Sequence, residues 1–226
     1  MIDFEEYLRD EMPDQKAKAS AWKTAIGLQA VDGLQISEYL KEAALDHIEG
    51  NISIEEVKAL IDGYYQSKTA RTQNENETEE ADKVSIRIAQ ILNEKSFAFS
   101  VTGFTSIHRR LFEDVIAFAG KIRDYDITKK EWVLRGDTVL YVNAADLHRA
   151  IAYDLEQERN FSYKGLSLDE VVIHIAKFVP TFGKFIRLVK AIQEQPPYSL
   201  SSIYGVLALR WIILRLPITL GFSAML

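Results

Sequence analysis

The chain has 226 residues, enough for one or two domains with a sizeable core, and 47% of them are apolar while 27% are charged. The net charge of −6 argues against a general nucleic-acid binder, because such proteins neutralise phosphates with an excess of Lys and Arg. The absence of cysteine excludes disulfides and thiolate metal sites and fits a reducing compartment, so we expect a cytoplasmic protein. The first residues are acidic and mixed, which predicts no secretory signal.

The first third of the chain predicts a polar arm and three short helices. The arm includes a short helix at Phe4–Arg9, and the first longer helix is predicted at Ser20–Val31. Cap and turn residues mark where the helices start and stop. These residues are Asp32, Gly33, Ser37, Gly50, Ser53 and Glu56. The pattern predicts a small helical module over residues 1–68.

Residues 69–82 form an acidic stretch with no balancing base after Arg71. Its acids are Glu75, Glu77, Glu79, Glu80 and Asp82. We interpret the stretch as a solvated linker or helix start, and a specific acidic docking site is the alternative. A helix is predicted next, at about Asp82–Glu94.

The central stretch, Ser106–Val142, predicts an amphipathic helix followed by a β-hairpin. The apolar residues that recur at helical spacing are Ile107, Leu111, Phe112, Val115 and Phe118, and Gly120 is the predicted stop. The predicted strands are Glu131–Leu134 and Thr138–Val142, with the turn at 135–137. A hairpin that joins no larger sheet is marginal by itself, so we expect it to rest on the helices or to grip a ligand.

Two further helices are predicted after the hairpin. The first carries Leu147, Ile151 and Leu155 on one face, and the second opens with a capping box of Ser167 and Glu170. From the residues alone, the chain is a helical protein with one hairpin.

The tail, residues 181–226, has a different composition. It holds five bases and one acid, and four of the five prolines lie from Pro180 onward. Leu200–Leu226 is long and apolar enough to suggest a membrane span. Arg210 and Arg215 would each cost about 2.5–3.5 kcal/mol near the centre of a bilayer, so we expect no span.

No catalytic or metal motif is visible. The histidines are His47, His108, His148 and His174, and without HxH or HExxH spacing we expect them to be structural. The bases around the central helix are Arg109, Arg110, Lys121 and Arg123. They could form a basic patch, but pairing with nearby acids on a solvated surface is the prediction.

Two stretches resemble known families. The sequence IHRRLFEDVIAFAGKIRDYDITK (Ile107–Lys129) resembles the signature of Fic domains, IHxxLF…AGxIR…I, and the likeness extends over Val84–Val179. Upstream, Thr24–Tyr65 resembles the VbhA-type antitoxin module of toxin–antitoxin pairs. The resemblance implies an all-α Fic bundle with one β-hairpin flap, preceded by the antitoxin-like module.

The resemblance also implies an activity and a docking site. Fic proteins are nucleotidyltransferases that move AMP from ATP, with Mg²⁺, to a protein hydroxyl, and their flap clamps the target chain as an added strand. The matching flap residues are Trp132, Val133, Leu134, Thr138, Val139, Leu140 and Tyr141. The inhibitory [ST]-x-x-x-E-[GN] motif of the antitoxin falls on Leu28–Gly33, where Leu28 and Asp32 replace the hydroxyl residue and the glutamate before Gly33.

The family's catalytic loop, H-x-F-x-[DE]-G-N-x-R, is missing. It should follow the second capped helix by about ten residues, but no histidine follows His174. Codons allowed for Thr181–Ile203 can be chosen so that a displaced frame reads IWEVHSFSEGNTRTTAVFI, which contains that loop. We therefore predict a frameshift after about Val179, no catalytic or metal residues, and no productive binding of ATP and Mg²⁺.

These observations predict four segments: the module at 1–68, the acidic linker at 69–82, the Fic portion at 83–180 and a non-family tail at 181–226. The leading hypothesis is a Fic-type AMP transferase by descent that is inactive as it stands. The alternative is a non-catalytic interaction or antitoxin-like protein. Its expected partner is a protein substrate or another Fic or antitoxin-type protein, with no nucleic acid and no membrane.

Overall fold

The structure is a computed structural model that describes residues 4–9, 12–31, 33–67, 73–94, 98, 100–126, 128–130, 138–140, 142–167, 169–174 and 176–178. The predicted tail at 181–226 lies outside these residues. The elements in chain order are α1 Glu5–Arg9, α2 Pro13–Val31, α3 Glu38–Glu49, α4 Ile54–Gln66, α5 Gln73–Leu92, α6 Val101–Phe112, β1 Thr128–Lys130, β2 Thr138–Leu140 and α7 Ala144–Asn160. Helix predominates, as the predicted all-α class requires.

The chain divides into two compact units, and the division falls after residue 95. The first unit holds the described residues up to Glu94, and the second holds those from Ala98 to Phe178. Residues 73–82, interpreted as a solvated linker or helix start, form the first half of α5. An ion pair across one helical turn stabilises this half, since Lys83 Nζ lies 2.6 Å from Glu79 Oε1. The first compact unit therefore includes α5.

The core of the first unit lies between α2 and the three helices that follow it. Helix α2 packs against α3 and α5, and α4 packs against α3 and α5. The largest fully buried side chains here are Trp22, Leu40, Ile48, Ile61, Tyr65 and Ile88. In α4, Ile61 and Tyr65 lie one turn apart, and in α5 the buried residues Val84, Ile88 and Leu92 recur at the same spacing, so each of these helices turns one face to the core.

The caps predicted for this unit are confirmed. Ser37 is the N-cap of α3 and Gly50 its C-cap, with a φ of 84° in the left-handed region that glycine adopts without strain. Ser53 and Glu56 form the capping box of α4. These short-range bonds fix where the chain turns.

Asp82, predicted in the linker, is the polar centre of this unit. Its carboxylate is fully buried and accepts hydrogen bonds from Ser37 N at 2.8 Å, Ser37 Oγ at 2.6 Å and Tyr65 OH at 2.8 Å. Burial and the nearby Asp82 charge raise the pKa of Tyr65 above its usual value, so the phenol stays protonated and keeps donating. One carboxylate on α5 thus joins the start of α3 to the last turn of α4.

A second buried polar pair joins α2 to α3. The indole nitrogen of Trp22 donates to His47 Nδ1 at 3.0 Å, with both side chains buried. Burial, and then the charge of Lys18, lower the pKa of His47. The histidine therefore accepts the bond in its neutral form, as a structural residue.

In the second unit, the central helix is shorter than predicted. Helix α6 ends at Phe112, so Val115 and Phe118 lie in the turns beyond it. Asp114 adopts a φ of 62°, outside the helical region, and this ends the helix well before Gly120. The start of α6 is tight, because a Cβ added at Gly103 would lie 2.0 Å from the Ala98 carbonyl oxygen.

The strands and later helices complete the second unit. β1 and β2 pair antiparallel, with Thr128 opposite Leu140. Helix α7 packs against α6. Residues 169–174 and 176–178 are helical, and Ser167 and Glu170 exchange the hydrogen bonds of the predicted capping box.

The Asp82 cluster gives a testable prediction. Tyr65→Phe removes one donor from a buried carboxylate, and hydrogen bonds to charged groups contribute about 1.5–3 kcal/mol. We expect the free energy of unfolding, measured with urea, to fall by that amount. The matched control is Tyr39→Phe, since Tyr39 is half-buried and its ring stacks on Tyr64 whether or not it carries a hydroxyl. Equal losses in the two variants would contradict the role of Asp82.

Candidate functional site

Three of the residues predicted for a docking flap lie in the strand pair. Thr138, Val139 and Leu140 form β2. Trp132, Val133, Leu134 and Tyr141 lie outside the described residues, as does the predicted turn at 135–137. The partner of β2 is β1, Thr128–Lys130, which precedes the segment predicted as the first strand. Pairing therefore starts closer to α6 than the sequence suggested.

Arg123 lies near the open end of the strand pair, where residues 125–126 lead into β1 and Val142 follows β2. We call this end the foot of the strand pair. It was predicted on a solvated surface, and this prediction is wrong: its side chain is 1% exposed. The guanidinium donates to the backbone carbonyl oxygens of Tyr125 and Val142, which lie on opposite sides of the strand pair. One side chain thus bridges chain segments that are 19 residues apart.

Asp126 makes a second bridge beside the first. Its carboxylate accepts a hydrogen bond from Ala144 N at 2.7 Å. Asn143, the N-cap residue of α7, makes no side-chain capping bond, so Asp126 satisfies a free N–H at the start of this helix. Asp126 Oδ1 also lies 3.9 Å from Arg123 Nη1.

Two apolar side chains are exposed at the same foot. Tyr125 is 48% exposed and Val142 is 40% exposed. Their carbonyl groups are the acceptors of Arg123, while their side chains face solvent. The foot of the strand pair therefore combines a hydrogen-bonded polar interior with an apolar surface, a combination typical of protein contact sites.

His108 holds the chain between α6 and Arg123. Its Nδ1 accepts a hydrogen bond from Gly120 N at 2.7 Å, and the residue is 1% exposed. Burial lowers the pKa of His108 to about 4, so the ring is neutral near pH 7. Gly120 has a φ of 75°, and a Cβ there would lie 2.7 Å from Arg109 Cβ. This position therefore requires glycine.

Another polar cluster joins α7 to the helical residues that follow it. Glu158, 2% exposed, accepts a hydrogen bond from Tyr163 OH, and its other oxygen lies 2.7 Å from His174 Nε2. The His174 ring stacks on Phe161 with a centroid distance of 3.7 Å. His47, His108 and His174 thus have structural partners, as predicted.

The predicted inhibitory position lies at the end of α2. Leu28, which replaces the hydroxyl residue, is buried in the core of the first unit. Gly33 is exposed with a φ of 76°, and its N–H donates to Ala30 O at 3.0 Å, while Asp32 lies outside the described residues. The Leu28 side chain therefore contributes to the hydrophobic core of the first unit.

Sequence reasoning missed Arg123 and Asp126 as site residues. Across the strand pair they bond Val142 O and Ala144 N, which lie 19 and 18 residues away, so no short spacing reveals these contacts. The one available signal was the AGKIR element of the Fic resemblance, in which Arg123 is a signature residue.

Comparisons with known proteins give no assignment. No protein-family model, curated protein or solved structure matches the chain. Among the described residues, no group of three or more His, Asp or Glu side chains could hold a metal ion. None of the helices in the described part of the chain combines the length and apolar character needed to cross a bilayer.

The buried His108 predicts a pH dependence. An unfolded histidine titrates near pH 6.5, and the folded pKa is lower, so the unfolded chain binds more protons between about pH 4 and 6.5. The free energy of unfolding is therefore highest, as far as His108 affects it, above this pH window, and it falls as the pH decreases through the window. Between pH 7 and pH 5 the residue should remove about 2 kcal/mol of the unfolding free energy.

The measurement is urea unfolding of the wild type and His108→Gln at both pH values. We expect the variant to lose about 2 kcal/mol less on acidification, because it has no imidazole to protonate. His148→Gln is the control, since His148 is exposed on α7. A variant that keeps the wild-type pH dependence would contradict the assignment.

Proposed function

We propose that this chain is a Fic-type protein, descended from AMP transferases, that retains the helical scaffold and target-docking strand pair and does not itself transfer AMP. One observation carries the proposal: the order of elements in the second unit. Helix α6 carries the IHRRLF sequence, and AGKIR, the strand pair, α7 and the Ser167-capped helical residues follow it. This order supports the proposal, because it is the order that the Fic resemblance implies.

The residues present do not fit a catalytic site for ATP and Mg²⁺. The sequence contains no H-x-F-x-[DE]-G-N loop, which supplies the general base, the metal ligand and the phosphate-binding amides in the family. Neither His108 nor His174 substitutes for that base. His108 is buried against Gly120 N, and His174 is bonded to Glu158. No AMP transfer step follows from these side chains.

A second candidate function is non-catalytic binding of a protein chain. The exposed Tyr125 and Val142 favour it, because they place apolar surface beside the strand pair. In this function the chain occupies targets of an intact Fic enzyme without modifying them.

We place the protein in the cytoplasm, with protein partners and no nucleic acid. The absence of cysteine and the net charge of −6 support this placement.

The first experiment tests descent and inactivity together. The pure chain and a frame-restored chain, in which the displaced frame replaces the sequence after Val179, are each incubated with α-labelled ATP and Mg²⁺. We expect the frame-restored chain to label protein and the present chain to label at least about a thousandfold less, because the missing groups act as one unit. Labelling by the present chain would refute inactivity. A folded frame-restored chain that labels nothing would refute descent from AMP transferases.

The second experiment tests docking by competition. An excess of the present chain is added to the frame-restored chain and its labelled protein target, and we expect labelling to fall as the target is occupied. Tyr125→Lys should compete at least about tenfold less well, since it places a charge in the apolar contact. Tyr153→Lys is the matched control, because Tyr153 is an exposed tyrosine on α7. Unchanged labelling with excess chain would exclude this function.

A further inference from the structure

The strand pair has no third strand to hold its position among the described residues. There β1 and β2 pair only with each other, and an isolated two-stranded hairpin is marginal in water. In the observed register Thr128 lies opposite Leu140, so Asp126 falls opposite Val142, two positions beyond the last described pair. Whatever fixes the strand pair to its unit should act at this foot.

The two bridges described above lie at this position. Arg123 donates to the carbonyl of Val142, and Asp126 accepts from the N–H of Ala144. Side chains thus connect the two sides of the foot where the backbone pairing ends. We call this pair, Arg123 and Asp126, the clasp.

Arginine is the side chain suited to the first bridge. Its planar guanidinium presents several N–H donors in a fixed geometry, so it can reach the carbonyls of Tyr125 and Val142 together. A lysine ammonium is a point charge on a flexible stem and lacks this geometry. The Arg123 Nε is buried without a hydrogen bond, which is a cost to folding. The hydrogen bonds to the two carbonyl oxygens offset this cost.

We infer that Arg123 is the positioning residue of the strand pair, and that Asp126 is the second half of the same clasp. The clasp fixes the foot on which the docking surface stands, with groups that belong to neither the catalytic loop nor the tail. The inference rests on the proposed function for what docks there, while the role of the clasp in placing the strands does not depend on that function.

The test is hydrogen exchange, followed by mass spectrometry, on the full chain at pH 7. We compare the wild type with Arg123→Gln and Arg123→Lys. In both variants the amides of the strand pair should exchange at least about tenfold faster, because local opening no longer breaks the clasp. The amides around Ile151 in α7 should keep their wild-type rates.

Controls separate the clasp from charge and from global stability. Arg149→Gln removes an arginine whose side chain is 83% exposed, and it should leave the strand pair unchanged. Asp126→Ala removes the bond to Ala144 and should speed exchange of the strand pair while Arg123 is intact. This variant and Arg123→Lys carry the test if Arg123→Gln does not fold.

Trypsin gives a second readout, because Lys129 and Lys130 lie in β1. Cleavage after these residues should be faster in the clasp variants than in Arg149→Gln. Unchanged exchange of the strand pair in both Arg123 variants would overturn the inference, and so would equal acceleration throughout the second unit. Both measurements report the strands themselves, so their outcome is independent of whether the chain docks a target or transfers AMP.

Discussion

Removing the carboxylate of Asp82 from water is the constraint on which the first unit depends. A buried carboxylate without partners would be prohibitively unfavourable, so α3 and α4 must arrive where Ser37 and Tyr65 can donate to it. Apolar burial alone would allow these helices to slide or rotate against α5. The three hydrogen bonds select one arrangement. Burial makes a donor to the Asp82 carboxylate necessary, and the same burial raises the pKa of Tyr65, so that its phenol stays protonated and can donate.

The second unit uses the same physical device at the strand pair. Arg123 and Asp126 satisfy backbone groups across the foot, as Asp82 satisfies the N-cap of α3. In both units a charged side chain from one segment completes hydrogen bonds that a distant segment cannot complete by itself. The proposed docking function follows from this separation, because a surface fixed by its own clasp can persist when a catalytic loop is lost.

Three helix starts in this chain were readable because their signals are local. Ser37, Ser53 and Ser167 each bond to groups three residues away, and the sequence shows such pairs directly. The end of α6 was not readable, because the apolar spacing continues through Phe118 while the backbone turns at Asp114. The acidic composition before Lys83 suggested a solvated linker or helix start. Composition cannot show that Asp82 is buried and accepts a hydrogen bond from a tyrosine 17 residues earlier. The strand at Thr138–Leu140 was predicted, but its register and the burial of Arg123 depend on contacts across the strand pair.

The bond between Asp82 and Ser37 also bears on how such a module could be inherited. A genetic exchange that joined a new partner domain at residue 68 would transplant α1 to α4 without the acceptor that positions two of them, α3 and α4. The recipient would gain an exposed apolar groove where α5 belongs, and the donor would keep an orphaned acidic helix. Junctions after Glu94 avoid both defects, so any fusion that keeps this unit folded should carry α5 with it, whatever domain follows.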